Sequence, residues 1–252
     1  MESQVRRTLV TAVLATTGLI AACGGGGDDR PTNIPPTSDF NAFAAWQNLL
    51  DPPALHSWAN ITGRGSDGND YTVTLSSEAA PNATFPLTGA SHFVTDVRST
   101  ISGNGTLLGT GLTEIFFDGD WYVRGLRVSS TTMEPGNPPV TSTTCDEVLA
   151  TALPPSAAKV NASGALYDTT IRETCTAGAP ASGASAATWS IEFEFGFVFL
   201  CIATEDRGFG PAPVVTTEQD CFETLEDGTL GPRARVTLTG NSPGFSLVAR
   251  NY

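Results

Sequence analysis

The chain has 252 residues, 40% of them apolar, with 26 acidic against 13 basic side chains, so its net charge is −13. An acidic surface of this kind repels phosphate backbones, which excludes a nucleic-acid partner, and it repels anionic lipid headgroups as well. Any attachment to a membrane therefore needs something other than surface charge.

The first residues supply it. Arg6 and Arg7 precede an uncharged, Leu/Val/Ile/Ala-rich stretch from Thr8 to Ala22. A basic head, a short apolar middle and a small-residue end make a secretory signal, and the middle is shorter than the roughly 20 residues a spanning helix needs. The segment Ile20-Ala21-Ala22-Cys23 resembles the lipobox of bacterial lipoproteins. The resemblance covers residues 1 to 23 alone. It implies cleavage before Cys23, diacylglycerol on the Cys23 sulfur and acyl chains such as palmitate, which together anchor the chain durably. Gly24, in place of an aspartate, implies the outer membrane by analogy with enteric bacteria. In composition and layout the chain is similar to the uncharacterised lipoproteins of proteobacterial envelopes, a similarity that transfers no activity.

The expected organisation is a signal peptide (1–22), a lipid-anchored flexible linker (23–38) and two β-rich units (39–140 and 141–252). Gly24 to Gly27 and the Pro-rich run to Pro36 read as a tether stiffening into a spacer. Without residues 1–22, 11 basic and 25 acidic side chains remain, and Lys159 is the only lysine.

Ser38 to Leu50 has the spacing of an amphipathic helix, capped by Ser38 or Asp39 and stopped by Asp51-Pro52-Pro53. Alternation then predicts strands around Tyr71–Leu75, Phe93–Ile101, Thr106–Phe117 and Trp121–Ser129, with turns at 102–105 and at Asp118-Gly119. A second helix-like segment, Cys145 to Leu153, carries Thr144-x-x-Glu147 as a capping box. Thr176 to Ala187, rich in Gly, Ala and Ser, reads as an exposed mobile loop. Thr188 to Ala203 reads as one long strand with Trp189, Ile191, Phe193, Phe195, Phe197, Phe199 and Cys201 on a single face. Closing strands are expected near Arg233–Thr239 and Gly244–Ala249.

A loose repeat runs through this pattern. Leu50-Asp51-Pro52-Pro53 with Asn60-Ile61-Thr62-Gly63 matches Leu153-Pro154-Pro155 with Asn161-Ala162-Ser163-Gly164, and Asp118-Gly119 matches Asp227-Gly228. The fold class expected is mainly β: antiparallel sheets, sandwich or barrel-like, in two related units with one or two short helices.

With Cys23 set aside for lipid, Cys145, Cys175, Cys201 and Cys221 remain. An even number in an oxidising compartment points to two disulfides, and the local pairs Cys145–Cys175 and Cys201–Cys221 are favoured among three pairings. Their spacing is not that of a zinc site. No catalytic motif is found. His56 and His92 are not spaced as a metal pair, and Gly240-Asn241-Ser242-Pro243-Gly244 lacks the strand-to-helix setting of a nucleophile elbow. Asp67-Gly68-Asn69-Asp70 and Asp118-Gly119-Asp120 lack the ligand register of a calcium loop. No cofactor or metal is expected. The expected function is a non-catalytic envelope lipoprotein that contacts a protein or polymer. The alternative is a carrier of a small apolar ligand in a β cavity lined by Phe193, Phe195, Phe197 and Phe199; an envelope hydrolase is the outsider.

Overall fold

The computed structural model describes residues 34–134, 136–209, 214–240 and 244–252. The expectations at Cys23, the signal peptide and Asn241–Pro243 lie outside the described residues.

After a short helix, α1 (Ala42–Leu50), twelve antiparallel strands follow in chain order. They are β1 (His56–Arg64), β2 (Asp70–Thr84), β3 (Ser91–Gly103), β4 (Thr106–Phe117), β5 (Val123–Thr132) and β6 (Val140–Thr151), then β7 (Ser163–Arg172), β8 (Ala181–Glu194), β9 (Phe197–Gly208), β10 (Val215–Thr224), β11 (Leu230–Gly240) and β12 (Ser246–Arg250). Each strand pairs with the next, and β12 returns to β1 through Thr62 and Arg250, so the sheet closes into a barrel. Closure leaves no sheet edge to pair with another chain. The strands of both predicted units share this one ring, and β5 pairs with β6 across the expected boundary.

Side chains alternate between lumen and outer wall. Val73, Leu75, Ile115, Ile191, Leu200, Phe222 and Val236 are buried in the lumen core. Asp96, Arg98, Glu114, Arg127, Ser129 and Thr131 point outward. Outward hydroxyls pair across β5 and β6, Ser129 with Thr143 at 3.0 Å and Thr131 with Thr141 at 2.9 Å. Among the described residues no helix is long and apolar enough to cross a membrane.

The helix fills one end of the barrel, and the sequence dictates how. Asn41, not Ser38 or Asp39, is its cap, its side chain accepting from the Ala44 amide at 2.9 Å. Phe40 is instead bridged to Ala158 in the β6–β7 loop. Trp46, Leu49 and Leu50 are buried. The helix's last carbonyls, which have no partner within a helix, accept hydroxyl donors from the barrel wall: Ser77 bonds Leu49 O at 2.6 Å, and Thr95 bonds Leu50 O. Asn48 Nδ2 donates to Gly228 O at 2.9 Å, and Gly228 has no room for a side chain, since a Cβ would lie 2.6 Å from that of Ala44.

Three expectations are corrected. Cys145 to Leu153 is not a helix: Val140–Thr151 is β6, in which Cys145 is buried on the outer side and Glu147 bonds Arg172. Its β-branched Val and Thr residues suit a pleated surface, and Thr144 is the cross-strand partner of Val128 in the sheet. Thr176 to Ala187 is not a loop throughout, because Ala181 onward belongs to β8. Small residues are required there: a Cβ on Gly183 would lie 2.6 Å from Arg207 O. Thr188 to Ala203 is not one strand but the end of β8 and the start of β9, reversed at Phe195-Gly196. Both turn residues take positive φ, 50° and 88°, the geometry of tight hairpin turns.

Two satellite clusters decorate the outer wall, each holding a disulfide. Phe85 folds back over Gly125, packing with Val94, Phe116 and Cys145, and Cys145 is bonded to Cys175. Phe199, Cys201 and Cys221 are buried together under Tyr252, with Cys201 bonded to Cys221, its direct cross-strand partner.

Candidate functional site

The lumen changes character along its axis. At the helix end it is packed with Trp46, Trp58, Phe117, Trp189 and Phe222. Beyond them small or polar inward positions, Ser99, Gly111 and Thr113, then Ser130 and Ser142, then Thr169, Ser185 and Thr204, are interleaved with apolar ones such as Val97, Val128 and Leu238. Ser130 and Ser142 bond one another at 2.9 Å. Many of these residues point inside a closed barrel and still keep solvent contact. A twelve-stranded barrel is wider than the eight-stranded kind that side chains alone can fill.

Acids gather in this far half. Glu218 and Asp220 are two apart on β10, facing Thr204 and Ile202 of β9 and Leu238 and Val236 of β11. Asp206 on β9 lies beside Ser185, and Asp146 on β6 lies beside Leu126 and Ile171. Tyr167 on β7 faces the same space. Among the described residues no lysine or arginine points inward: Arg98, Arg127, Arg172, Arg207, Arg233 and Arg235 all occupy outward positions. The only inward histidine, His56, sits at the helix end stacked on Trp58, 4.4 Å between ring centroids, and burial holds its pKa below the usual value.

Burial without a counter-charge disfavours ionisation. Glu218 is pushed up to about 7 by burial and then by the charge of Asp206. Asp220 is raised well above the usual aspartate value by burial and then by Glu218. The Tyr167 hydroxyl is raised by burial and by Asp146, Asp206 and Glu218. Glu218 and Asp220 retain some accessible area yet lie deep among protein atoms, as groups reached only through a lumen do. Two further atoms mark the wall. Asp220 Oδ1 is out of solvent contact and has no hydrogen-bond partner, and Thr169, only 1% exposed, leaves its Oγ1 without a partner.

Across the wall the electrostatics are reversed. Arg235, 9% exposed, lies on the outer face between Glu192 (2.5 Å), Glu194 (2.8 Å) and Gln219 (2.9 Å). Arg250 and the Tyr252 hydroxyl also bond Glu194, at 2.6 and 2.8 Å. Burial pushes the carboxyls of Glu192 and Glu194 up, but these bonds outweigh it and hold both below the usual value. Glu192, Cys201 and Cys221 are the only close trio of metal-type donors among the described residues. Both sulfurs are committed to the disulfide, so no thiolate is offered to a metal.

The four phenylalanines proposed as a ligand lining are not brought together. Phe193 faces inward at the helix end and, with Val198, Pro35 and Pro36, lines a shallow groove. Phe195 is 58% exposed in the turn, while Phe197 and Phe199 pack on the outer wall against Tyr252. His92 is half-buried at the start of β3. Asp67 and Asp118 accept bonds from backbone amides two residues on, at 3.1 and 3.0 Å, as Asx turns do. The lumen acids were missed because Val215–Thr224 is polar on both faces, so alternation alone does not say which side is inside. Comparison of the chain with known families, with characterised proteins and with solved structures finds no match.

Proposed function

We propose that the chain is a non-catalytic binding protein of a bacterial cell envelope, held to the outer membrane by lipid on Cys23, with the far half of the barrel lumen as its ligand site. One observation carries the lumen reading: polar, solvent-touched side chains line the inside of a closed barrel whose other end is filled by α1. A core built only for stability would be dry and apolar there. The anchor is supported by the lipobox-like Ile20–Cys23 segment, and a secreted setting agrees with the two disulfides.

A second reading has its own observation. The groove formed by Pro35, Pro36, Phe193 and Val198 is apolar and would suit a small apolar ligand.

Native mass spectrometry of the full chain, extracted from the envelope in mild detergent, tests both. A reproducible small-molecule mass, lost when Ser130 and Ser142 are replaced by Phe, supports the lumen. The same mass lost on Phe193→Asp instead supports the groove. A bare protein mass under all extraction conditions defeats both. In the same spectra, Cys23 carries diacylglycerol and acyl mass if the anchor is right.

A further inference from the structure

Three features of the far lumen converge. Its acidic wall, Asp206, Glu218 and Asp220 with Asp146 nearby, has no inward-pointing basic residue opposite it among the described residues. Polar groups that are costly to bury unpaired lie on its inward-facing positions without a hydrogen-bond partner: Asp220 Oδ1, and Oγ1 of the buried Thr169. The third feature is the adjoining wall, where Leu238, the cross-strand partner of Glu218, and Leu247 beside it continue to Val73 and Tyr71 as an apolar surface.

We propose that this half of the lumen binds a small amphipathic organic cation, its ammonium or amidinium group seated among Asp206, Glu218 and Asp220 and its apolar part against Val73, Leu238 and Leu247. The inference rests on the lumen reading above and names its ligand class. A lone metal ion fits less well. Oxygen ligands of a calcium ion sit 2.3–2.6 Å from it, so their atoms crowd together, whereas no trio of lumen carboxylates lies within 4.8 Å of one another. An organic cation is larger and spreads its donors, so separated acceptors suit it. Thr169 Oγ1 and the Tyr167 hydroxyl add neutral acceptors on β7.

The neighbouring charges make the preference sharp. β9 presents Ile202, Thr204 and Asp206 to the site, and β11 presents Val236 and Leu238. β7 presents Tyr167, Thr169 and Ile171, and β8 presents Gly183, Ser185 and Ala187. None can neutralise Glu218 or Asp220, so an entering cation restores the ionised state that burial opposes.

The test uses the full chain in nanodiscs and three probes of one shape: benzylammonium, benzyl alcohol and benzoate, with calcium as a fourth. Calorimetry is expected to rank benzylammonium at least tenfold above benzyl alcohol, with benzoate silent. Glu218→Gln with Asp220→Asn should abolish that margin, bringing amine and alcohol to the same affinity. That variant removes two buried charges, so its melting temperature should equal or exceed the parent's. Should it fail to fold, the unaltered chain still decides, because benzylammonium affinity must fall as pH drops from 8 to 5 and alcohol affinity must not. Equal binding of amine and alcohol, or calcium binding that excludes the amine, overturns the cation inference while the lumen reading stands. No binding by any probe, together with no co-purified mass, overturns both.

Discussion

At the scale of single residues, the molecule separates two kinds of buried charge. Arg235 is surrounded by acceptors, so its desolvation is repaid by bonds to Glu192, Glu194 and Gln219. Removing one partner of such a cluster is more damaging than removing all of it. Arg235→Ala should therefore cost about 3 kcal/mol in a urea titration, and Glu192→Gln with Glu194→Gln in that background should recover part of the loss. Glu218 and Asp220 are the opposite case, acids whose folded-state pKa lies above the unfolded one. Their protonated form favours the fold, so the contribution of Glu218 is complete below about pH 4.5 and is lost as pH rises through about 7, and that of Asp220 is likewise lost as pH rises. Glu192 and Glu194, held below their usual value, lose their contribution as pH falls below that range. The melting temperature should thus peak in mildly acidic buffer and decline toward pH 7, and a curve still rising from pH 5 to 7 would contradict the burial of Glu218. These lumen acids were illegible in the sequence because an acid in a strand ordinarily marks the wet side.

Among the elements, α1 is the one whose role the chain order does not announce. Its amphipathic spacing was readable from Phe40 to Leu50, but not that it would enter the barrel end and hand its terminal carbonyls to Ser77 and Thr95. Trp46, 2% exposed, fills that end, and Trp46→Ala should lose about 3–5 kcal/mol by thermal or urea unfolding. Ser77→Ala should cost about 1 kcal/mol, one buried hydrogen bond. The strands were legible wherever apolar and polar residues alternate between clear turn signals, as in β3 and β4. They were not legible at Phe195-Gly196. The turn there lacks an Asn-Gly or Asp-Gly signature, and two inserted residues let the apolar alternation run on unbroken in the sequence. In space the alternation changes face: Phe193 points into the lumen and Phe197 away from it. A different ambiguity hid β6, where Thr144-x-x-Glu147 reads as a capping box although it lies within a pleated strand.

Across the whole molecule, closure is what local patterns cannot specify. A barrel-like outcome was among those expected, yet only the pairing of β12 with β1 makes it one ring. The loose repeat acquires a place in that ring. Asn60 in β1 and Asn161 just before β7 both take positive φ, 55° and 71°, and the two Asp-Gly turns precede β5 and β11, so matched features fall six strands apart. The seam is the thinnest part, since β12 has only 5 residues. Backbone amides of Leu247–Arg250 should accordingly exchange with deuterium sooner than those of β8 and β9. Each disulfide closes a modest loop, of 30 and 20 residues in separation, and replacing either pair by alanine should lower stability by about 2–4 kcal/mol in chemical unfolding.

The chain enters the barrel at the end that α1 fills, because Ile34 and Pro35 lie beside Phe193 and Gly196 in the β8–β9 turn. Ten residues lie between Cys23 and Ile34, and the eleven Cα steps across them reach about 40 Å at full extension. On the proposed anchor, that geometry gives the protein a compass bearing. On that anchor the tether leaves from the stoppered base, so a cation bound as proposed would sit at the end of the barrel farther from the point of attachment.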